Sequence, residues 1–421
     1  MAAELPTDTA LVNGLSAARP PLIRAMNEQL LLEHIRAAGP YSRADLARVS
    51  GLSKPTVSLA LANLERAGLV RHAGQRTGVP GRSALLYEVR PEAGFVLGLD
   101  IGLRYLRGAV ADLAGGIRAR MSQAVVATSV NGRVAELVRL ADELCAHAGI
   151  TRASVTQTVV GSPGVYDPQR NLMALTGGLP GWDRPEALAA LREAFGRALA
   201  IENDVDAAAL AERALGVGRE TDNFAFVHVG TGIGMGLVLG GRLHRGVHGV
   251  AGEIAFMPLG GANASGTGQQ ADGERGDPGA DPPVDLVEAL RRGVLETAAA
   301  ADGIVRAARQ AGMLGQVSAR SVFEAAAGGD PRAVEVVAAE ARLVASAICC
   351  VITVVDPSLI VLGGGIGQAP GFAQAVTSAL AAMAPVLPEL KVSALGTDVV
   401  VDGCLAEGTA LAWNQLIAAQ P

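Results

Sequence analysis

Cysteine is scarce in this chain of 421 residues: Cys145, Cys349, Cys350 and Cys404 are all there is. They are too few and too scattered for a disulfide framework, and no Cys-x-x-Cys pair offers zinc a thiolate cradle. They read as small core residues. No uncharged apolar run of about 18 residues stands out as a membrane span. Residues 1–25 carry Glu4 and Asp8 and no apolar stretch of the kind a secretory leader needs. A cytoplasmic location with no membrane partner is expected. The glycine-rich stretch around Gly230 is followed by no Gly-Lys-Ser/Thr, which excludes a Walker loop, and its spacing does not fit the dinucleotide fingerprint. What is abundant is apolar surface. Half the residues are hydrophobic and the mean hydropathy is +0.32, enough for a large core in two or three domains.

Charge divides the chain. The formal net charge is −6, yet Arg24 to Arg90 holds ten Arg/Lys against five Asp/Glu, a surplus of +5; residues 1–23 sum to −1, leaving −10 for residues 91–421. A basic segment joined to an acidic one points to a polyanion partner for the first part only.

Residues 1–21, with three prolines and no periodicity, read as a flexible arm. From Ile23 to Ile35 apolar residues recur at helical spacing until Gly39-Pro40. Ser42-Arg43-Ala44-Asp45 resembles a capping box with Asp45 in place of the usual Glu, and Ser53 caps a third helix with Val57, Leu61 and Leu64 on its inner stripe. Two strands, Leu69 to Arg71 and Ala84 to Val89, then flank a Gly/Pro-rich turn. Residues 22–90 therefore predict a winged helix-turn-helix that binds double-stranded DNA. With the apolar stripe inward, Ser53, Lys54, Thr56 and Ser58 face the major groove, Arg82 follows the minor groove, and Arg43 touches phosphate. Leu59 is an apolar exception on the groove side.

Pro91 marks the boundary to a domain over residues 91–421. Its strands alternate with helices, as in a layered α/β fold. Phe95 to Gly102 and Tyr105 to Ala111 are echoed by Phe224 to Gly232 and Met235 to Leu239, so two similar halves are expected to face each other across a cleft. Gly230-Thr231-Gly232 would offer bare amides to an anion. Asp204 alone reads as the cap of a helix from Val205 to Leu215. Residues 260–283, rich in Gly, Ala, Asp, Ser and Gln, read as a flexible insertion.

Six motifs together resemble the ROK proteins (repressors, open reading frames and kinases), in particular the branch of transcriptional regulators. They are Leu99-Asp100-Ile101-Gly102; Ser162-Pro163-Gly164-Val165; Leu179-Pro180-Gly181-Trp182; Glu202-Asn203-Asp204; Gly230 to Gly234 with Arg245-Gly246 and Gly252-Glu253-Ile254; and Asp356-Pro357 with Gly363-Gly364-Gly365. The resemblance implies an actin-like ATPase-type fold of two α/β lobes behind the winged helix, with a sugar in the cleft. Asn203 and Glu253 match residues that hydrogen-bond sugar hydroxyls, with Gly164 beside them, and Asp204 matches the general base of the kinase members.

The chain also departs from that pattern. Leu103-Arg104-Tyr105 stands where the kinases have Gly-Thr-Lys, so bulky side chains occupy a turn that must approach phosphate. Phe256 replaces a histidine that contacts sugar and ligates zinc, Gly178 replaces an asparagine, and no cysteine follows in residues 260–283. No metal, no cofactor and no catalytic residue are therefore expected. The reading is a homodimeric regulator, a repressor rather than an enzyme, that senses a sugar or related metabolite. The alternative is a hexose kinase using ATP with Asp204 as base.

Overall fold

The computed structural model describes residues 20–76, 84–167, 169–176, 179–259 and 291–418. The expected arm over 1–21, Arg82, Gly178 and the insertion at 260–283 lie wholly or nearly wholly outside them. Two compact units are present. One holds the chain through Phe95, the turn at residues 112–116 and the chain from Ala410 onward; the other holds the remainder.

In the first unit, helices α1 (Pro20–Ala38), α2 (Arg43–Ser50) and α3 (Lys54–Arg66) precede strands β2 (Val70–Arg76) and β3 (Ala84–Val89). A short strand β1 (Tyr41–Ser42) pairs with β3, giving the sheet order β1-β3-β2. Local chemistry sets the boundaries. Ser42 Oγ accepts from Asp45 N at 3.2 Å while Ser42 N donates to Asp45 Oδ2 at 3.3 Å, so the capping box forms with aspartate. Ser53 Oγ accepts from Thr56 N at 3.3 Å to open α3. Val57, Leu61 and Leu64 are fully buried with Leu31, Leu32, Leu46 and Tyr87. The chain's far end contributes to the same unit: Trp413 is buried, donates through Nε1 to Leu113 O at 3.1 Å, and has the Arg36 guanidinium 5.5 Å from its ring.

The second unit is built on two five-stranded sheets. One has the order β6-β5-β4-β7-β10, from β4 (Phe95–Ile101), β5 (Tyr105–Asp112), β6 (Ile117–Ala124), β7 (Val155–Ser162) and β10 (Leu199–Asn203). The other has the order β13-β12-β11-β14-β15, from β11 (Phe224–Val229), β12 (Ile233–Leu239), β13 (Arg242–Leu243), β14 (Leu359–Gly363) and β15 (Glu389–Val392). The orders correspond strand for strand, with β4 matching β11 and β5 matching β12. The internal echo in the sequence is thus a duplication of topology. A small hairpin, β8 (Val165–Asp167) with β9 (Leu172–Ala174), follows β7.

Six helices matter for the cleft or the core: α4 (Val130–His147), α5 (Pro185–Phe195), α6 (Asp204–Ala214), α7 (Val294–Ala299), α10 (Pro331–Val355) and α13 (Val399–Ala418). Contrary to expectation, one of them, α10, is long and apolar enough to cross a membrane by length and composition. Half of its apolar window is buried within the fold, where Val344, Ala345 and Ile348 join Ala225, Val227, Ile360 and Leu362 in one cluster. Its apolarity is therefore that of a core helix. Where α13 passes α6 the backbones nearly touch: a Cβ added to Gly403 would sit 1.7 Å from Ala207 O.

Candidate functional site

The ends of the central strands open into a cleft of about 580 Å³ within the second unit. The first half supplies Asp100 and Arg107, Gly164, and Asn203 and Asp204 at the start of α6; the second supplies His228, residues 231–234, Glu253, Phe256 and Glu296. The four residues expected to bind ligand, Gly164, Asn203, Asp204 and Glu253, are thereby brought together. The described DNA-facing candidates, Arg43, Ser53, Lys54, Thr56 and Ser58, belong to the first unit.

Several of the sequence motifs turn out to fasten this cleft rather than face into it. Trp182 Nε1 donates to Ser162 Oγ at 2.8 Å, so Leu-Pro-Gly-Trp and Ser-Pro-Gly form one buried joint. Arg245 Nε donates to both oxygens of buried Glu202, at 3.1 and 3.2 Å, and Arg245 also reaches Glu407. Gly252 has φ +96°, and a Cβ there would lie 2.0 Å from Met235 O, so only glycine lets the chain run against β12 and deliver Glu253.

The cap of α6 is Asn203, not Asp204. Asn203 Oδ1 accepts from Val205 N at 2.8 Å and Asp206 N at 3.0 Å, and Nδ2 donates to Gly164 O at 3.0 Å. A ligand bond from Asn203 has to displace or share one of these. Asp204 is left at the first helical position, in the cleft. Burial pushes its carboxyl up, and the facing His228, itself pushed down by burial, pulls it back. Burial raises Glu253 to about 7, helped by Asp204 and Glu296. Burial and then Asp204 raise Asp100 to about 7 against the pull of Arg107, which is 3.2 Å away.

Two amides of the glycine turn are already engaged. Gly230 N donates to Gly232 O at 2.9 Å, and Ile233 N donates to Glu296 Oε2 at 3.3 Å. A carboxylate from α7, also held by Arg292 Nε at 3.3 Å, takes the place where an anion would have been welcomed. On the opposite wall, Arg107 is engaged by Asp100 and lies 4.0 Å from Asp398. Arg133 donates to Gly102 O at 2.7 Å, and Leu103, Arg104 and Tyr105 project from the turn that follows. The cleft is lined by polar groups, of which Arg107 and the Ile233 amide already have carboxylate partners.

Sequence reasoning missed His228, Glu296 and Arg107. His228 had a signal, a lone histidine in an apolar strand two residues before a glycine turn. Glu296 had none, because it reaches the turn from 63 residues away.

Behind the cleft wall, Asp206 is buried, Oδ1 has no partner, and burial with the neighbouring Glu202 lifts it to about 8. Asp206, Asp100 and Glu253 all have folded values above the ordinary carboxylate range. The folded state then binds more protons than the unfolded chain, so the stabilisation is complete below about pH 4 and is lost as pH rises through 7–8. The melting temperature should fall between pH 5.5 and pH 8.5. Asp206→Asn should raise the melting point by a few degrees at pH 8.5, at about 2–4 °C per kcal/mol, and leave it near wild type at pH 5.5. Scanning calorimetry at the two values checks this; parallel curves for variant and wild type would count against it.

On the first unit, Lys54 is exposed at the start of α3 and Ser58 is half-buried one turn on. Ser53 and Thr56 bond each other through their hydroxyls at 2.8 Å, so the cap occupies both. Leu59 is 59 % exposed beside them. Arg43 is exposed, with its guanidinium 5.3 Å from the Tyr87 ring. Other arginines are neutralised locally: Arg48 and Arg76 by Asp45, Arg71 by Glu88 and Glu92.

Two duplicated α/β halves around a polar cleft, preceded by a winged helix-turn-helix, define a protein of the actin-like sugar-kinase fold that carries a DNA-binding module. The ROK family model matches residues 96–407, and a winged helix-turn-helix DNA-binding model matches residues 27–71. The chain belongs to the ROK family. It is similar to the xylose repressor of Bacillus subtilis, 27 % identical over 237 residues, which are 56 % of this chain and 61 % of that protein. Among solved structures it resembles the ROK hexokinase of Thermus thermophilus, with 28 % identity and a TM-score of 0.61 over 76 % of this chain and 99 % of that one. It shares its fold with a ROK family transcriptional regulator described as a homologue of the E. coli MLC protein, at 24 % identity and a TM-score of 0.72, covering 94 % of this chain and 100 % of that one.

Proposed function

We propose that the protein is a cytoplasmic, homodimeric transcriptional repressor whose winged helix binds an operator and whose cleft binds a sugar or sugar-derived effector. The observation that carries this is the pairing of a capped α3, Lys54 exposed at its start, with a cleft that keeps its polar sugar side while Arg107 and the Ile233 amide on its phosphate side are engaged by carboxylates from within. The similarity to xylose repressors supports it and makes xylose the first effector to try. Ligand binding shifts the protein between operator-competent and incompetent states by its differential affinity for them. A two-fold dimer reads a pseudo-palindrome.

The second reading is a hexose kinase, favoured by an Asp204 that is not the cap of α6 and lies in the cleft, where one carboxylate oxygen accepts from Val205 N at 2.9 Å. One assay separates the two. With ATP and a panel of pentoses and hexoses, a coupled assay should show no turnover above background, while a footprint on DNA upstream of the protein's own gene weakens with salt and with effector. Turnover abolished by Asp204→Asn, together with no footprint, would reverse the assignment.

A further inference from the structure

Four large apolar side chains stand half-exposed around the same cleft: Leu103 at 48 %, Tyr105 at 47 %, Leu175 at 42 % and Phe256 at 38 %. Scattered single residues of this kind are ordinary on a protein surface. Four around one concavity are a binding feature.

Two of them flank the polar end from opposite halves. Leu175 follows β9, and this part of the chain is pressed against Gly164: a Cβ on Gly164 would meet Ala174 O at 2.5 Å and Thr176 Cα at 2.9 Å. Gly164 in turn accepts from Asn203, next to Asp204. Phe256 closes the turn that presents Glu253, with Phe256 N donating to Glu253 O at 3.2 Å. Leu175 also has φ +54°. Among the described residues the only other non-glycines with positive φ are Asn171 and Asp356, types that tolerate it; leucine rarely does. A leucine held in this conformation, its side chain exposed at a cleft wall, is the kind of local strain that accompanies a ligand contact.

Size points the same way. The cleft of about 580 Å³ lies inside the roughly 300–1,000 Å³ range of pockets that enclose drug-sized ligands. A bare monosaccharide, with about a dozen non-hydrogen atoms, leaves the apolar wall facing water, which costs free energy in proportion to the area left wet.

Building on the effector reading above, we infer that the cleft takes a glycoside with an aryl aglycone, its hydroxyls toward Asp204 and Glu253 and its ring against the apolar side chains of Leu175 and Phe256 that flank the polar end, with Leu103 and Tyr105 lining the same cleft. The apolar part gains affinity by displacing water from surfaces that make no hydrogen bonds, while the sugar fixes orientation.

Isothermal titration of the full chain with methyl and phenyl β-D-xyloside, methyl and phenyl β-D-glucoside, and glucose 6-phosphate tests this. In at least one sugar series the phenyl glycoside should bind at least about tenfold more tightly than the methyl glycoside, about 1.4 kcal/mol. That ratio should fall toward one in Phe256→Ala and in Leu175→Gly, the latter suited to the positive φ. Equal affinity of phenyl and methyl glycosides, a ratio that survives both substitutions, or tightest binding by glucose 6-phosphate, which Arg104 and Arg291 at the cleft would then explain, each overturns the inference while leaving a sugar effector in place. Binding of none of these probes overturns both.

Discussion

Replacing Arg43 and Lys54 together by alanine should lower operator affinity by about a hundredfold near physiological salt and reduce the slope of log K against log salt by about one, since Arg43 is the phosphate contact and each such contact contributes about 0.9. The prediction rests on which basic residues still have charge to give. Lys54 and Arg43 are exposed and have no acidic partner among the ion pairs of the described residues, whereas Asp45 holds Arg48 at 3.3 Å and Arg76 at 3.0 Å. Arg71 is held by Glu88 at 2.8 Å. Arg48→Ala and Arg71→Ala are therefore the controls, each expected to change affinity less than about threefold. Fluorescence anisotropy over a salt series gives both quantities. Controls as damaging as the double variant would show that the surplus of charge acts diffusely, and the placement of α3 at the DNA would lose its support.

Gly403→Ala should cost stability, although alanine is the better helix former by up to about 1 kcal/mol. The added Cβ would fall 1.7 Å from Ala207 O and 2.5 Å from Ala207 C, both backbone atoms that no rotamer change can move. Overpacking of this kind costs about 1–3 kcal/mol and occasionally more, so the clash outweighs the propensity gain. A drop in melting temperature of about 2–8 °C is expected, at about 2–4 °C per kcal/mol. Since Ala207 lies one turn after Asp204, effector affinity should fall as well. Gly365→Ala is the matched control, because that glycine also lines the cleft but a Cβ on it would meet nothing within 4 Å. Equal melting points for the two variants would mean that α13 can be displaced from α6 without cost.

Local signals made the winged helix readable. Ser42 with Asp45 and Ser53 with Thr56 act over three residues, so the sequence alone located both helix starts, and the buried stripe of Val57, Leu61 and Leu64 followed from period. The duplicated strands were readable for the same reason, since each half repeats a strand, a turn and a strand. Competition between neighbours was harder. Asn203 and Asp204 are both good caps, and only the backbone path chose Asn203. Helix α13 starts at Val399, where the strand-like branching of Val399-Val400-Val401 conceals a helix that tertiary packing imposes. The helices Ala301–Gln310 and Ala319–Ala327 were not assigned from sequence at all. Contacts made across long stretches of chain were invisible: nothing near Glu296 announces that it caps Ile233, nor near Arg245 that it anchors Glu202. Burial of Asp206 is another such case, for an aspartate early in a helix reads as a solvated charge.

The carboxylate at the glycine turn sets a condition on any anion that would reach the Ile233 amide. Glu296 is tethered, and a tethered group meets its partner at an effective concentration in the millimolar range or above, whatever the solution holds. A diffusing phosphate must first evict it, and it brings a like charge to the contest. Restoring small residues at Leu103, Arg104 and Tyr105 opens one wall only. Bulk on one strand turn and a tethered carboxylate on the other are two separate obstacles to a phosphate, so removing either alone leaves the other in place.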